Sequence, residues 1–147
     1  MGAELTRDAG ALRALLTDAR VIAVVGLSSK PWRASHDVAA YLQGSGYLIV
    51  PVNPGETEVL GERAYPTLLD MPRDVRIDIV DVFRRAEHTP EVAEQAVEIG
   101  AGALWLQEDI VNEEAARIAT EGGLDVVMGV CIRVVRERLM RGEGSEA

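Results

Sequence analysis

Five short apolar runs, at residues 21–25, 47–52, 77–83, 103–107 and 124–128, recur along this chain with room for a helix between each pair. They are rich in β-branched and aromatic residues and too short for buried helices, so they read as strands. The prolines at 51 and 54 are read as ending the second. Ahead of the first strand, Leu5, Leu12, Leu15 and Leu16 stand at helical spacing. After it, Ser35 is placed as the N-cap of a helix that carries Val38, Ala39 and Leu42 and stops at the glycines 44 and 46. Two more helices have clear start signals. Thr89-Pro90-Glu91 sets a capping hydroxyl before a proline, and Asn112-Glu113-Glu114 sets a capping amide before acids that favour the positive helix end. They run to Gly100 and Gly122. Strands alternating with helices pair in parallel through right-handed crossovers, which predicts an α/β fold: an open doubly wound parallel sheet of about five strands with helices on both faces.

The 147 residues suit one domain, expected over 1–140, with 141–147, rich in Gly and Glu, as a flexible tail. No window is apolar enough to span a membrane, and the first residues carry Glu4, Arg7, Asp8 and Arg13 where a signal peptide would be apolar. A net charge of −9 works against nonspecific attraction to nucleic acid or anionic lipid. Cys131 is the only cysteine, which excludes an intrachain disulfide and, with only two histidines, makes no zinc-type ligand set. A cytoplasmic protein with no metal site is expected.

Sheets of this kind bind ligands beyond the carboxyl ends of their strands, where strand order reverses. The loops after Gly26, Val52, Phe83, Gln107 and Met128 are therefore the places for a site. Residues 27–36 hold Lys30 and Arg33 and no acid, and Phe83 is followed by Arg84 and Arg85. Any one of these cations alone reads as a solvated loop charge, but their gathering at the strand ends of an acidic chain suits a phosphorylated ligand. The first loop departs from a dinucleotide turn, with Ser28 and Pro31 where the second and third glycines would stand. The second strand ends at Asn53-Pro54 instead of the acid that bonds ribose hydroxyls in NAD enzymes, with Glu56 only later. Ordinary NAD binding is disfavoured.

The segments VVGLSSKPWRASHDVAAYL, VPVNP, VDVFRR, LQEDIVNEEAA and GLDVVMGVCI together resemble the family of small stand-alone CoA-binding proteins, which is similar to the amino-terminal CoA-binding domain of the succinyl-CoA synthetase α subunit. The resemblance implies a Rossmann-like sheet that binds coenzyme A. Carried over by position, it implies ligand contacts from Gly26, Ser28, Lys30, Arg33 and Ser35 in the first loop, Asn53 and Pro54 in the second, and Phe83, Arg84 and Arg85 in the third. Chemistry supports these positions unequally. Gly26 permits a tight exit from the strand, and Ser35, as a cap, would aim helix donors at a diphosphate. Lys30 offers a point charge and Arg33 a two-pronged grip. Asn53-Pro54 reads equally as a strand terminator, Phe83 as core or as a flank for pantetheine or adenine, and Gln107 sits at a similar strand end.

Trp32 is assigned to surface packing and Trp105 to the core, and His36 and His88 to local polar bonding. Cys131 reads as a buried small hydrophobe, in a loop where Gly129-Val130 departs from the family pattern. No catalytic residue is assigned. The expected function is binding of coenzyme A or an acyl-CoA without a reaction of its own. The alternatives are an NAD(P)-binding oxidoreductase or nucleotide sensor, and an accessory subunit of an acyl-CoA enzyme.

Overall fold

A computed structural model describes residues 1–142; the expected tail lies almost wholly outside the described residues. The first helix, α1 (Ala9–Asp18), leads into β1 (Val21–Val25), followed by α2 (Ala34–Gly44) and β2 (Leu48–Val52). A short excursion carries β3 (Glu58–Val59), β4 (Glu62–Arg63) and a 3₁₀ turn at Leu68–Asp70. Then come β5 (Ile79–Val82), α3 (Thr89–Glu98), β6 (Ala103–Glu108), α4 (Glu113–Glu121), β7 (Asp125–Gly129) and α5 (Ile132–Met140). The main sheet has the order β2-β1-β5-β6-β7, with every pair parallel. The chain moves outward from β1 to β2, then crosses back to the other side of β1 at β5. Strand order thus reverses between β1 and β5, as a Rossmann-like doubly wound sheet requires.

Period-two alternation sorts the strand side chains onto two apolar faces. Ile22, Val24, Ile79, Trp105 and Val127 meet Leu12, Leu16, Leu42 and Ile132 from α1, α2 and α5. Ala23, Val25, Val80, Val82, Leu104 and Leu106 meet the small residues of α3 and α4, including Ala93, Ala96, Ala115 and Ala119. Alanine faces let those two helices lie close to the sheet and to each other. Trp105 is fully buried, as expected, and its indole N–H donates to Val130 O at 2.9 Å. Among the described residues no helix is long and apolar enough to cross a membrane.

Several local expectations need correction. Pro51 lies inside β2 because β2 is an edge strand, where the ladder does not need a proline N–H; its carbonyl accepts from Tyr65 N at 3.0 Å. Thr89 is the first residue of α3 and its hydroxyl turns back to Ala86 O at 2.7 Å, so it does not cap the helix. The hairpin β3–β4 and α5 are additions. The last helix is tied to α2 by Arg133, 2.9 Å from Asp37, and by Arg136, which donates to the hydroxyls of Tyr41 and Tyr47.

Asn112 behaves as its position predicts. Its Oδ1 accepts from Ala115 N at 2.8 Å as the N-cap of α4, while its Nδ2 donates to Ala86 O at 2.9 Å, joining α4 to the segment before α3. Asn112→Ala loses both bonds and is expected to destabilise the fold by about 1–2 kcal/mol. Urea unfolding followed by circular dichroism measures this, and an unchanged midpoint would contradict the cap.

Candidate functional site

The carboxyl ends of β1, β2 and β5 are knitted together at Gly26. Its N–H donates to Val52 O at 2.7 Å, and Phe83 N donates to Val25 O at 2.9 Å. Gly26 has φ +89°, and a Cβ there would stand 2.6 Å from Phe83 O. Only glycine meets both conditions. The chain exits β1 in a sharp turn directly over the switch point, where Leu27 is buried and anchors the loop that follows.

That loop is held mostly by its own polar side chains. Ser28 N donates to Ser35 Oγ at 3.1 Å, and Lys30 N donates to Ser28 Oγ at 3.1 Å. Arg33 N closes a turn on Lys30 O at 3.0 Å, with Pro31 and Trp32 at its corners. Trp32 is 77% exposed, against the expectation of surface packing. Helix α2 begins two residues earlier than expected. Arg33 is the N-cap residue and no side chain caps the helix; Ser35, inside the first turn and buried, braces Ser28 instead. An uncapped helix start leaves backbone donors and the positive dipole end for an anion.

The second loop closes against the first. Asn53 Nδ2 donates to Leu27 O at 3.1 Å and its Oδ1 accepts from Gly55 N at 2.9 Å, so this side chain fastens two loops. Glu56 Oε2 accepts from Ser29 N at 2.8 Å. Between the loops lies a cleft of about 580 Å³, larger than clefts of about 340 and 280 Å³ at the opposite, amino edge of the sheet.

Seven of the predicted residues line this cleft: Gly26, Ser28, Lys30, Arg33, Ser35, Asn53 and Phe83. Lys30 and Arg33 are exposed and form no ion pair among the described residues. Phe83 is half-buried at the floor. Pro54, Arg84 and Arg85 are exposed beside the cleft without lining it. Glu56, Gly55 and Ala34 also line it and were not assigned. The Asn-Pro-Gly turn, which folds the second loop back on the first, is the signal that marks Gly55 and Glu56; nothing in the sequence singles out Ala34.

Gln107 is a correction. It is buried, and its amide donates to Asp81 Oδ1 within the sheet, so it does not line the cleft. Asp81 lies between Val24 and Trp105 in the strand register and is fully buried, with Oδ2 lacking a hydrogen-bond partner among the described residues. Burial pushes its carboxyl up to about 8, against the lowering effect of the Gln107 bond. Cys131, expected to be buried, is half-buried at the N-cap position of α5.

With this geometry in place, the kinship of the chain is clear from its residues 20–137, which match the family model for a CoA binding domain. The chain belongs to that family. It is 46% identical over 123 residues to the Bacillus subtilis (strain 168) protein YneT, covering 84% of this chain and 90% of that one. A solved structure of a hypothetical protein from Pyrococcus horikoshii OT3 is similar with a TM-score of 0.86 and 41% identity, covering 90% of this chain and 92% of that one. More distantly, the chain is 31% identical over 98 residues to the ADP-forming acetate–CoA ligase II of Archaeoglobus fulgidus, covering 65% of this chain but 14% of the ligase. This CoA-binding family is therefore related to domains of larger CoA ligases.

The neutral Asp81 makes stability depend on pH. In the unfolded chain this carboxyl ionises near 3.8, and in the fold it stays protonated to about 8. Across that window unfolding releases a proton, so stability is full below the lower value and falls as pH rises towards the upper one, by roughly 1.4 kcal/mol per pH unit from this group. Asp81→Asn preserves the shape and removes the titration. Urea unfolding at pH 5 and pH 7.5 should give the variant a smaller loss of stability between the two than wild type; equal losses would contradict a neutral Asp81.

Proposed function

We propose that this protein binds coenzyme A or an acyl-CoA in the cleft over the β1–β5 switch point, and that it carries no reaction of its own. The observation that carries the reading is the convergence there of Lys30, Arg33 and the uncapped start of α2, in an otherwise acidic chain of the CoA-binding family. Each supplies something a nucleotide phosphate needs: backbone donors and a helix dipole for the diphosphate, and side-chain charge for the 3′-phosphate. Lys30 and Arg33 favour this ligand over NAD, because they suit a phosphate on the ribose, which NAD lacks, while Asn53 stands engaged with Leu27 and Gly55 at the end of β2. On this reading the ligand is drawn from the cytoplasmic pool.

The 3′-phosphate is the group that separates coenzyme A from dephospho-CoA, and it is nearly doubly charged at neutral pH. A charge-assisted hydrogen bond to it contributes about 1.5–3 kcal/mol, so coenzyme A is expected to bind about ten- to a hundredfold more tightly. Arg33→Ala or Lys30→Ala should remove most of that preference while leaving the fold intact, and added salt should weaken it because both side chains are exposed. Calorimetry of both ligands on wild type and the two variants measures it. Equal affinity of wild type for the two ligands would overturn the role of Lys30 and Arg33.

A further inference from the structure

The cleft has one acid among its lining groups, Glu56. It is half-buried, and its Oε2 is fastened to Ser29 N at 2.8 Å across two loops. Lys30 and Arg33 line the same cleft, yet Glu56 makes no ion pair among the described residues. A carboxylate has about four acceptor positions, and a single backbone donor leaves most of them open. The two loops therefore present opposite preferences to a ligand. The Lys30–Arg33 side attracts a phosphate; the Glu56 side repels one and accepts strongly from a hydroxyl.

The path of the second loop explains how the acid arrives there. Directly after β2, where a ribose-binding acid is placed in dinucleotide sites, this chain has Asn53. The Asn53-Pro54-Gly55 turn, closed by Glu56 N on Asn53 O at 3.2 Å, folds the chain back and delivers a carboxylate to the first loop three residues later. The acceptor absent at the end of the strand is supplied from the turn.

We propose that Glu56 reads an unphosphorylated ribose hydroxyl beside the phosphate held by Lys30 and Arg33, and so makes the cleft select a ribose 3′-phosphate over a 2′-phosphate. The inference rests on the coenzyme A reading, since that ligand carries phosphate at the 3′ position and a free hydroxyl at the 2′ position. Glu56 is then a specificity-determining residue: it rejects the isomer whose phosphate would face its carboxylate.

Adenosine 3′,5′-bisphosphate and adenosine 2′,5′-bisphosphate have the same base and formal charge and differ only in this position, so they are the probes, with coenzyme A titrated alongside. Wild type is expected to bind the 3′,5′ isomer about tenfold or more tightly over the 2′,5′ isomer. Glu56→Gln keeps an oxygen for Ser29 N and loses the charge; it should bring the isomers within about threefold, mainly by strengthening the 2′,5′ isomer. A merely structural Glu56 would change both affinities together and leave their ratio alone. If wild type binds coenzyme A but treats the isomers alike, or if the preference survives in the variant, the role of Glu56 is overturned and the coenzyme A reading stands. If wild type retains neither coenzyme A nor either bisphosphate, the functional reading itself fails and takes this inference with it. The wild-type ratio decides the matter even where the variant folds poorly.

Discussion

The close approach of Gly26 to Phe83 is the constraint on which the ligand edge depends. The two backbones come within a distance that no side chain at residue 26 would permit, and the same residue closes the ladder to Val52. Three strand ends are thereby drawn to one point at the place where strand order reverses. Everything that lines the cleft is positioned from this point. The first loop leaves it at Leu27, the second is fastened to Leu27 by Asn53, and the third begins at Phe83. A β1 exit with any other residue would push the first and third loops apart, so the glycine is needed for the shape of the cleft before any ligand is considered.

Electrostatics then separates the site from the scaffold. The chain is strongly acidic, yet the cleft is lined by Lys30 and Arg33, which form no ion pair among the described residues, and by one acid, with an uncapped helix start behind them. The nearby buried acid, Asp81, is kept neutral by its surroundings and contributes no charge to the edge. Hydrogen bonds accepted by the Ser28 and Ser35 hydroxyls, made by the Asn53 amide and accepted by the Glu56 carboxylate set the loops without using the side chains of Lys30 and Arg33. Polar residues therefore divide in two: the hydroxyls, the amide and Glu56 hold the shape of the loops, and Lys30 and Arg33 stand exposed at the cleft.

Much of this is legible in the sequence, and the remainder has physical reasons for being hidden. The apolar run into Gly26 marks β1 because a buried parallel strand leaves no other pattern. Asn112 followed by two glutamates marks the start of α4 because a cap needs a side-chain acceptor at that position. The hairpin β3–β4 has two residues per strand, and its turn at Leu60-Gly61 puts a leucine at φ +56°, without the Asn-Gly signal such turns usually show. Helix α5 places Ile132, Val135 and Leu139 towards the core, but its arginines hide that stripe in a composition that reads as surface. In the site, the cations and the glycine are visible because charge and conformational freedom are properties of the residue. The directions taken by Ser35 and Gln107 are not visible, since each has a partner that local pattern does not fix: Ser28, across the first loop, for one, and Asp81, on the neighbouring strand, for the other.

On the proposed function, this edge of the sheet is a coenzyme A site and not a dinucleotide site. Native mass spectrometry of the protein with equimolar coenzyme A, NADP and NAD tests it most directly, because the three compete for one cleft under one condition. A one-to-one complex with coenzyme A is expected, with NADP and NAD left free. Retention of NADP or NAD in preference to coenzyme A, or of none of the three, would contradict it.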